Sequence, residues 1–142
     1  MIRELSILIP TYNDGCSGLV ADLHRQAERI SALKWEIIVG DDGSTEQAVA
    51  EQNRRACAAD GCRYVRSERN VGRSAIRNRL AREARYGWPL FVDSGIEPGS
   101  DSFLSNYLPC DSQPVTVGGV TTATPSDSSL LRYRYERSAA ER

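Results

Sequence analysis

The side chains best suited to chemistry stand at the ends of three short apolar runs. Glu4 to Pro10 (ELSILIP) leads into Thr11, Tyr12, Asn13 and Asp14; Trp35 to Val39 (WEIIV) leads into Asp41, Asp42, Gly43 and Ser44; Pro89 to Val92 (PLFV) leads into Asp93, Ser94 and Gly95. Carboxylates and hydroxyls at such positions can accept N–H groups of a ligand or hold a cation. Taken alone, Asp41 and Asp42 read equally well as caps of a helix starting near Thr45, with Ser44 as its N-cap. Three strands delivering polar groups at one end exceed what capping requires, so Asp41 and Asp42 are read as the floor of a small-molecule site. Arg73 and Arg77 lie one turn apart at the start of a further predicted helix, where exposed N–H groups and the helix dipole favour an anion. A phosphate is the natural occupant of that corner. Arg79, Arg82 and Arg85 are read as surface charges.

These residues need a scaffold, and the periodicity supplies one. Glu36-Ile37-Ile38-Val39 is β-branched and without strict alternation, the pattern of a strand buried on both faces of a parallel sheet. Leu19, Leu23, Ala27 and Ile30 repeat at helical spacing from Ser17 to Ser31. A second helix is expected from Thr45 to Ala59, closed by Asp60-Gly61. Cys62 to Val65 reads as a strand, and Arg69 to Gly72 as a turn. A third helix then buries Ile76, Leu80 and Ala84, with a short helix from Ser100 to Leu108 and a strand from Val115 to Val120. From Asp111 to Ser129 the chain is rich in Ser, Thr, Pro and Gly, and Leu130 to Arg142 mixes strand and helix signals. No internal repeat is evident. Strand-helix alternation implies a parallel α/β sheet whose ligand edge is the carboxyl end of its strands.

At 142 residues the chain suffices for one domain with a core. The net charge of −1 conceals an arginine-rich segment from Arg63 to Arg85, but nucleic-acid binding through it would leave the three acidic strand ends unexplained. No nucleic-acid partner is expected. Cys16, Cys57, Cys62 and Cys110 show no ligand spacing, so reduced thiols rather than a zinc site are expected. His24 is read as a partly exposed helix residue. No apolar run approaches the roughly 20 residues that span a bilayer, so membrane contact is not indicated and a cytoplasmic location is expected.

No GxGxxG follows the first strand, and a receiver-type acidic pair would follow the first strand rather than the second. The ordered motifs PTYND, DDGSTE, RNVGRSAIRN and FVDSG instead resemble the family 2 glycosyltransferases, from about Leu5 to Gly95. The resemblance implies an α/β, Rossmann-like, mainly parallel sheet flanked by helices, of the GT-A type and cut short. Residues 1–110 would form the nucleotide-sugar (donor) core, and 111–142 the Ser/Thr/Pro-rich loop and the start of an acceptor-side region. It implies nucleotide-sugar binding by Pro10, Thr11, Tyr12 and Asp14 around the base, Asp42 as acceptor of an imino N–H, Gly72, Arg77 and Asn78 beside the nucleotide, and Asp93 near ribose and metal. Uracil, thymine and guanine offer a ring N–H to a carboxylate and cytosine and adenine do not, so UDP, dTDP or GDP sugars are the expected donors.

The implied cofactor is Mg2+ or Mn2+ held through Asp93, the first position of a DxD motif, yet Gly95 fills the third position and offers no side-chain oxygen. The implied reaction is inverting transfer to an acceptor hydroxyl of a saccharide, a lipid-linked saccharide or a protein, in glycan or cell-envelope biosynthesis. No catalytic base is identified; it is expected beyond Arg142, so this chain alone is expected to bind donor without transferring sugar. A noncatalytic nucleotide-binding module is the alternative.

Overall fold

A computed structural model describes residues 1–118. Residues 1–112 pack as one compact unit, containing four parallel strands: β1 (Glu4–Thr11), β2 (Lys34–Asp41), β3 (Cys62–Arg66) and β4 (Pro89–Phe91). Helices α1 (Ser17–Glu28), α2 (Gln47–Ala56) and α3 (Arg73–Glu83) form the connections, and α4 (Phe103–Tyr107) leads into a 3-10 turn over Leu108–Ser112. The sheet order is β3-β2-β1-β4. The chain therefore reverses its direction of travel across the sheet between β1 and β4, the kind of switch point where open α/β sheets bind ligands.

The central strands have no solvent face, as their composition implies. Ile7, Ile9, Ile37 and Val39 pack on one side with Leu19, Val20, Leu23 and Ala27 of α1. Leu8 and Ile38 face the other side and meet Leu80 of α3. Full burial of an aliphatic side chain of this size contributes about 1.5–3 kcal/mol. Glu36, which heads the apolar run, is buried but satisfied: its carboxylate accepts the Ser6 hydroxyl at 2.7 Å and the Arg85 backbone N–H at 2.6 Å, with Arg63 at 3.6 Å. That network ties the exit of α3 to the sheet end opposite the acidic edge.

Helix boundaries differ from expectation in three places. The second helix runs from Gln47 to Ala56, not Thr45 to Ala59, and Ser44 is not its cap. α1 ends at Glu28 rather than Ser31. The expected helix from Ser100 to Leu108 is confined to Phe103–Tyr107 and tightens into the 3-10 turn. Residues 115–118 form no strand; the rest of that expected strand and the tail from Leu130 lie outside the described residues. His24 sits edge-on against Trp35 at 5.1 Å and hydrogen-bonds the Asp60 carbonyl at 2.9 Å. All four cysteines are free. Burial pushes the thiols of Cys16 and Cys57 up to about 12 and that of Cys62 to about 11, so they remain protonated and inert.

Candidate functional site

Three loops at the carboxyl edge are stitched together by side chains whose sequence neighbours give no hint of their partners. Asn13, in the loop after β1, has φ 49°, a left-handed conformation that asparagine tolerates better than most residues. Its N–H donates to Ser44 Oγ at 2.8 Å, while its Oδ1 accepts the N–H groups of Thr45 at 2.8 Å and Glu46 at 3.0 Å. The cap of α2 thus comes from the neighbouring loop, which is why the local capping signal at Ser44 misplaces the helix start. Asn53, fully buried on α2, returns the contact: its Nδ2 donates to the Asp14 carbonyl at 2.9 Å and its Oδ1 accepts the Cys16 N–H at 2.9 Å. Asn53→Ala would leave the buried Cys16 N–H without its partner, while the Asp14 carbonyl keeps the Thr11 hydroxyl, so a loss of about 1–3 kcal/mol is expected. Chemical denaturation checks this; an unchanged midpoint would show that the loop holds without Asn53.

The two adjacent aspartates separate completely in role. Asp41 is fully buried; its Oδ1 accepts the Ser44 N–H at 2.7 Å and its Oδ2 accepts the Tyr64 hydroxyl, with Arg66 at 3.8 Å. Burial and the bond to Asp41 push the Tyr64 hydroxyl up to about 12, which keeps it a donor. Asp41 is therefore no part of a ligand floor, contrary to the sequence reading: consecutive residues point to opposite faces, and on the face that Asp41 takes the Tyr64 and Arg66 side chains of the neighbouring strand engage its carboxylate. Asp42 points the other way. Its backbone N–H donates to the Thr11 carbonyl at 2.9 Å, and its carboxylate accepts the N–H groups of Val71 at 2.7 Å and Gly72 at 3.0 Å. Asp42 thereby fixes the turn from which α3 starts, an anion at a helix N-terminus.

A cavity of about 230 Å3 opens at the β1/β4 switch point, lined by Pro10, Thr11, Tyr12, Asp42, Arg73, Ile76, Arg77, Asp93 and Ser94. Six of the nine sequence-selected residues meet here. Tyr12 offers a half-exposed ring, and the buried Thr11 hydroxyl donates to the Asp14 carbonyl at 2.7 Å, shaping the loop. Arg77 pairs with Asp93 across the cavity mouth, and Arg73 is exposed one turn earlier. The other three do not line the cavity. Gly72 forms the turn beneath Asp42, Asn78 is exposed on α3, and Asp14 reaches the β4 loop, where its Oδ2 accepts the Ser94 hydroxyl at 2.7 Å. Arg79 is more than a surface charge, since its guanidinium donates to the Arg66 carbonyl at 2.8 Å and Ser67 Oγ at 3.2 Å. The positioning roles of Asn13 and Asn53 escaped the sequence reading. Asn13 stood within the PTYND motif, whereas Asn53 lies in the featureless run EQNRR.

A divalent cation would find few free carboxylate oxygens in the loop after β4. Among the described residues no three His, Cys, Asp or Glu groups converge. Asp93 Oδ1 is engaged by a guanidinium, Gly95 brings no oxygen, and the side-chain atom nearest its ideal Cβ position, Asp14 Oδ2 at 3.7 Å, already takes the Ser94 hydroxyl.

Comparison with known proteins gives this edge its context. The glycosyl transferase family 2 model matches residues 6–133, so the chain belongs to that family. An uncharacterized glycosyltransferase of Haemophilus influenzae is 33% identical over 91 residues, covering 63% of this chain and 28% of its own length. The mannosyltransferase PcManGT from Pyrobaculum calidifontis, solved with GDP-Man and Mn2+, superposes with a TM-score of 0.64 at 18% identity, over 80% of this chain and 34% of that one. The 1–349 portion of S. aureus TarS superposes with a TM-score of 0.52 at 25% identity, over 72% of this chain and 30% of its own. The fold is thus the parallel α/β core of GT-A glycosyltransferases, and the chain spans about a third of the length of the relatives it matches.

Proposed function

We propose that the chain is the donor-binding part of an inverting glycosyltransferase and that its cavity takes the nucleotide of a UDP sugar, or of a dTDP or GDP sugar. The observation that carries this reading is the convergence of Tyr12, Asp42, Arg73 and Arg77 on one cavity at the switch point. An aromatic face, a buried carboxylate and two guanidiniums match the base, its imino N–H and the diphosphate. Each carboxylate oxygen has two acceptor sites, so Asp42 can receive an imino N–H while holding Val71 and Gly72. Pro10 and Thr11 form the wall beside the base, Asp93 faces the ribose, and Asp14, Gly72 and Asn78 support the loops around them. The acceptor is a hydroxyl of a saccharide, lipid-linked saccharide or protein, and the setting is the cytoplasm. A noncatalytic nucleotide-binding module is the second reading, favoured by Gly95 at the third position of the acidic motif.

Calorimetric titration with UDP, CDP and ADP tests the base recognition. UDP is expected to bind about tenfold or more tightly than either, because losing a hydrogen bond to a charged partner costs roughly 1.5–3 kcal/mol. Equal affinities for the three would remove Asp42 from base recognition.

A further inference from the structure

We propose that the Arg77 guanidinium takes the charge-balancing place of a divalent cation at the donor diphosphate, so that nucleotide binding by this chain needs no metal. The inference rests on the nucleotide reading above and concerns what neutralises the ligand's phosphates.

The acidic loop after β4 is poorly equipped as a cation holder. Mg2+ and Mn2+ at a diphosphate take oxygen ligands from one or two carboxylates besides the phosphates, and here the third position of the loop is Gly95. The one carboxylate in line, Asp93, carries its counter-ion already: Arg77 donates to its Oδ1, and the two form an ion pair. A dication arriving at Asp93 would have to displace that guanidinium or sit beside it, like charge against like charge. Asp14, whose Oδ2 lies 3.7 Å from the ideal Cβ position of Gly95, has that oxygen 2.7 Å from the Ser94 hydroxyl.

Arg77 has the opposite qualification. A guanidinium offers five N–H donors in a planar fork, and Asp93 engages only part of it. The rest faces the cavity that Arg77 lines together with Arg73 and Ile76. The Arg77 side chain is 28% exposed, so the cation is partly shielded from water, where its attraction to an anion is stronger than on an open surface. Arg73, one turn earlier on α3, adds a second positive charge. A diphosphate entering the cavity would meet Arg77 as a fixed cation aimed by Asp93 and backed by the amino end of α3.

The metal dependence of the Asp93→Asn effect separates this arrangement from a metal site. If Asp93 aims Arg77 and faces the ribose, its replacement changes UDP affinity equally with and without Mn2+. If Asp93 ligates a metal, its replacement removes affinity that only Mn2+ confers. The experiment titrates the whole chain with UDP and with uridine, once in EDTA and once in Mn2+, for the parent and for R77Q, R77K and D93N. UDP affinities in the two buffers are expected to agree within about threefold, R77Q to lose roughly tenfold or more for UDP but under about threefold for uridine, R77K to fall between the parent and R77Q, and D93N to show the same UDP affinity in EDTA as in Mn2+. A gain of more than about tenfold from Mn2+ that disappears in D93N would overturn the proposal while leaving nucleotide binding intact. Failure of UDP to bind in either buffer would overturn the nucleotide reading and this proposal with it.

Discussion

Asp42→Ala is expected to lower the folding free energy by about 2–4 kcal/mol and to abolish the preference for UDP over CDP. The stability loss follows from the geometry of the turn. Val71 and Gly72 donate their N–H groups to Asp42 at 2.7 and 3.0 Å, and the carboxylate is almost fully buried. Truncation leaves both donors facing a methyl group, and an unsatisfied part-buried donor costs about 1–3 kcal/mol. Because these N–H groups belong to the turn that launches α3, the amino end of that helix also loses its anchor to β2. The binding loss has a different origin, the acceptor site left for a base imino N–H. Asp42→Asn separates the two: its carboxamide oxygen can keep one of the backbone bonds, so it should be milder in stability, yet it replaces an acceptor-only group by one that also donates, and discrimination between UDP and CDP should collapse. Guanidinium denaturation and calorimetry on both variants decide the matter. An Asp42→Ala midpoint equal to that of the parent would mean that the turn over Arg69–Gly72 is held by other contacts.

Much of this architecture can be read in the sequence for a simple reason: β1 and β2 are buried on both faces, and such strands write themselves as continuous aliphatic runs that no helix of the same length would need. The carboxyl-edge placement of Tyr12 and Asp42 follows from those runs alone. What could not be read depends on partners distant along the chain. The division of labour between Asp41 and Asp42 is set by Tyr64 and Arg66 on β3 and by the backbone of Val71 and Gly72. The true start of α2 is set by Asn13, more than thirty positions earlier. Arg77 was expected to point at phosphate, and its pairing with Asp93, a partner from another element, was not legible. Local propensity carries no information about such pairings, so the sequence-level errors fall at the loops that build the site rather than in the sheet that carries them.

Gly43→Ala is expected to be among the most damaging single-methyl changes in the chain, at about 3 kcal/mol or more. Gly43 has φ +75°, and a Cβ there would fall 2.4 Å from the carbonyl carbon of Arg69, 2.6 Å from the nitrogen of Asn70 and 2.8 Å from the Arg69 Cα. The left-handed conformation alone costs a non-glycine residue roughly 1–2 kcal/mol. The overlap adds more, because all three atoms are backbone and cannot rotate aside; the turn after β2 and the turn before α3 would have to separate. Two other glycines calibrate the result. Gly72 has φ +99° and ψ 162°, a region open essentially to glycine alone, with nothing beyond its chain neighbours within 4 Å of its Cβ position, so Gly72→Ala carries a backbone cost of about 1–3 kcal/mol without a collision against another segment. Gly18, in the first turn of α1 and equally unobstructed, should gain at most about 0.5 kcal/mol from alanine through helix propensity. The expected order of stability is therefore Gly18→Ala above the parent, then Gly72→Ala, then Gly43→Ala, measured as denaturant midpoints at constant m-value. Gly43→Ala should also lose more UDP affinity than Gly72→Ala, since separating the two turns pulls Asp42 from the N–H groups of Val71 and Gly72 and spreads the cavity between Asp42 and Arg73. If Gly43→Ala proves no worse than Gly72→Ala, the two turns slide past each other at little cost, and there is no rigid seam between the acidic turn and α3.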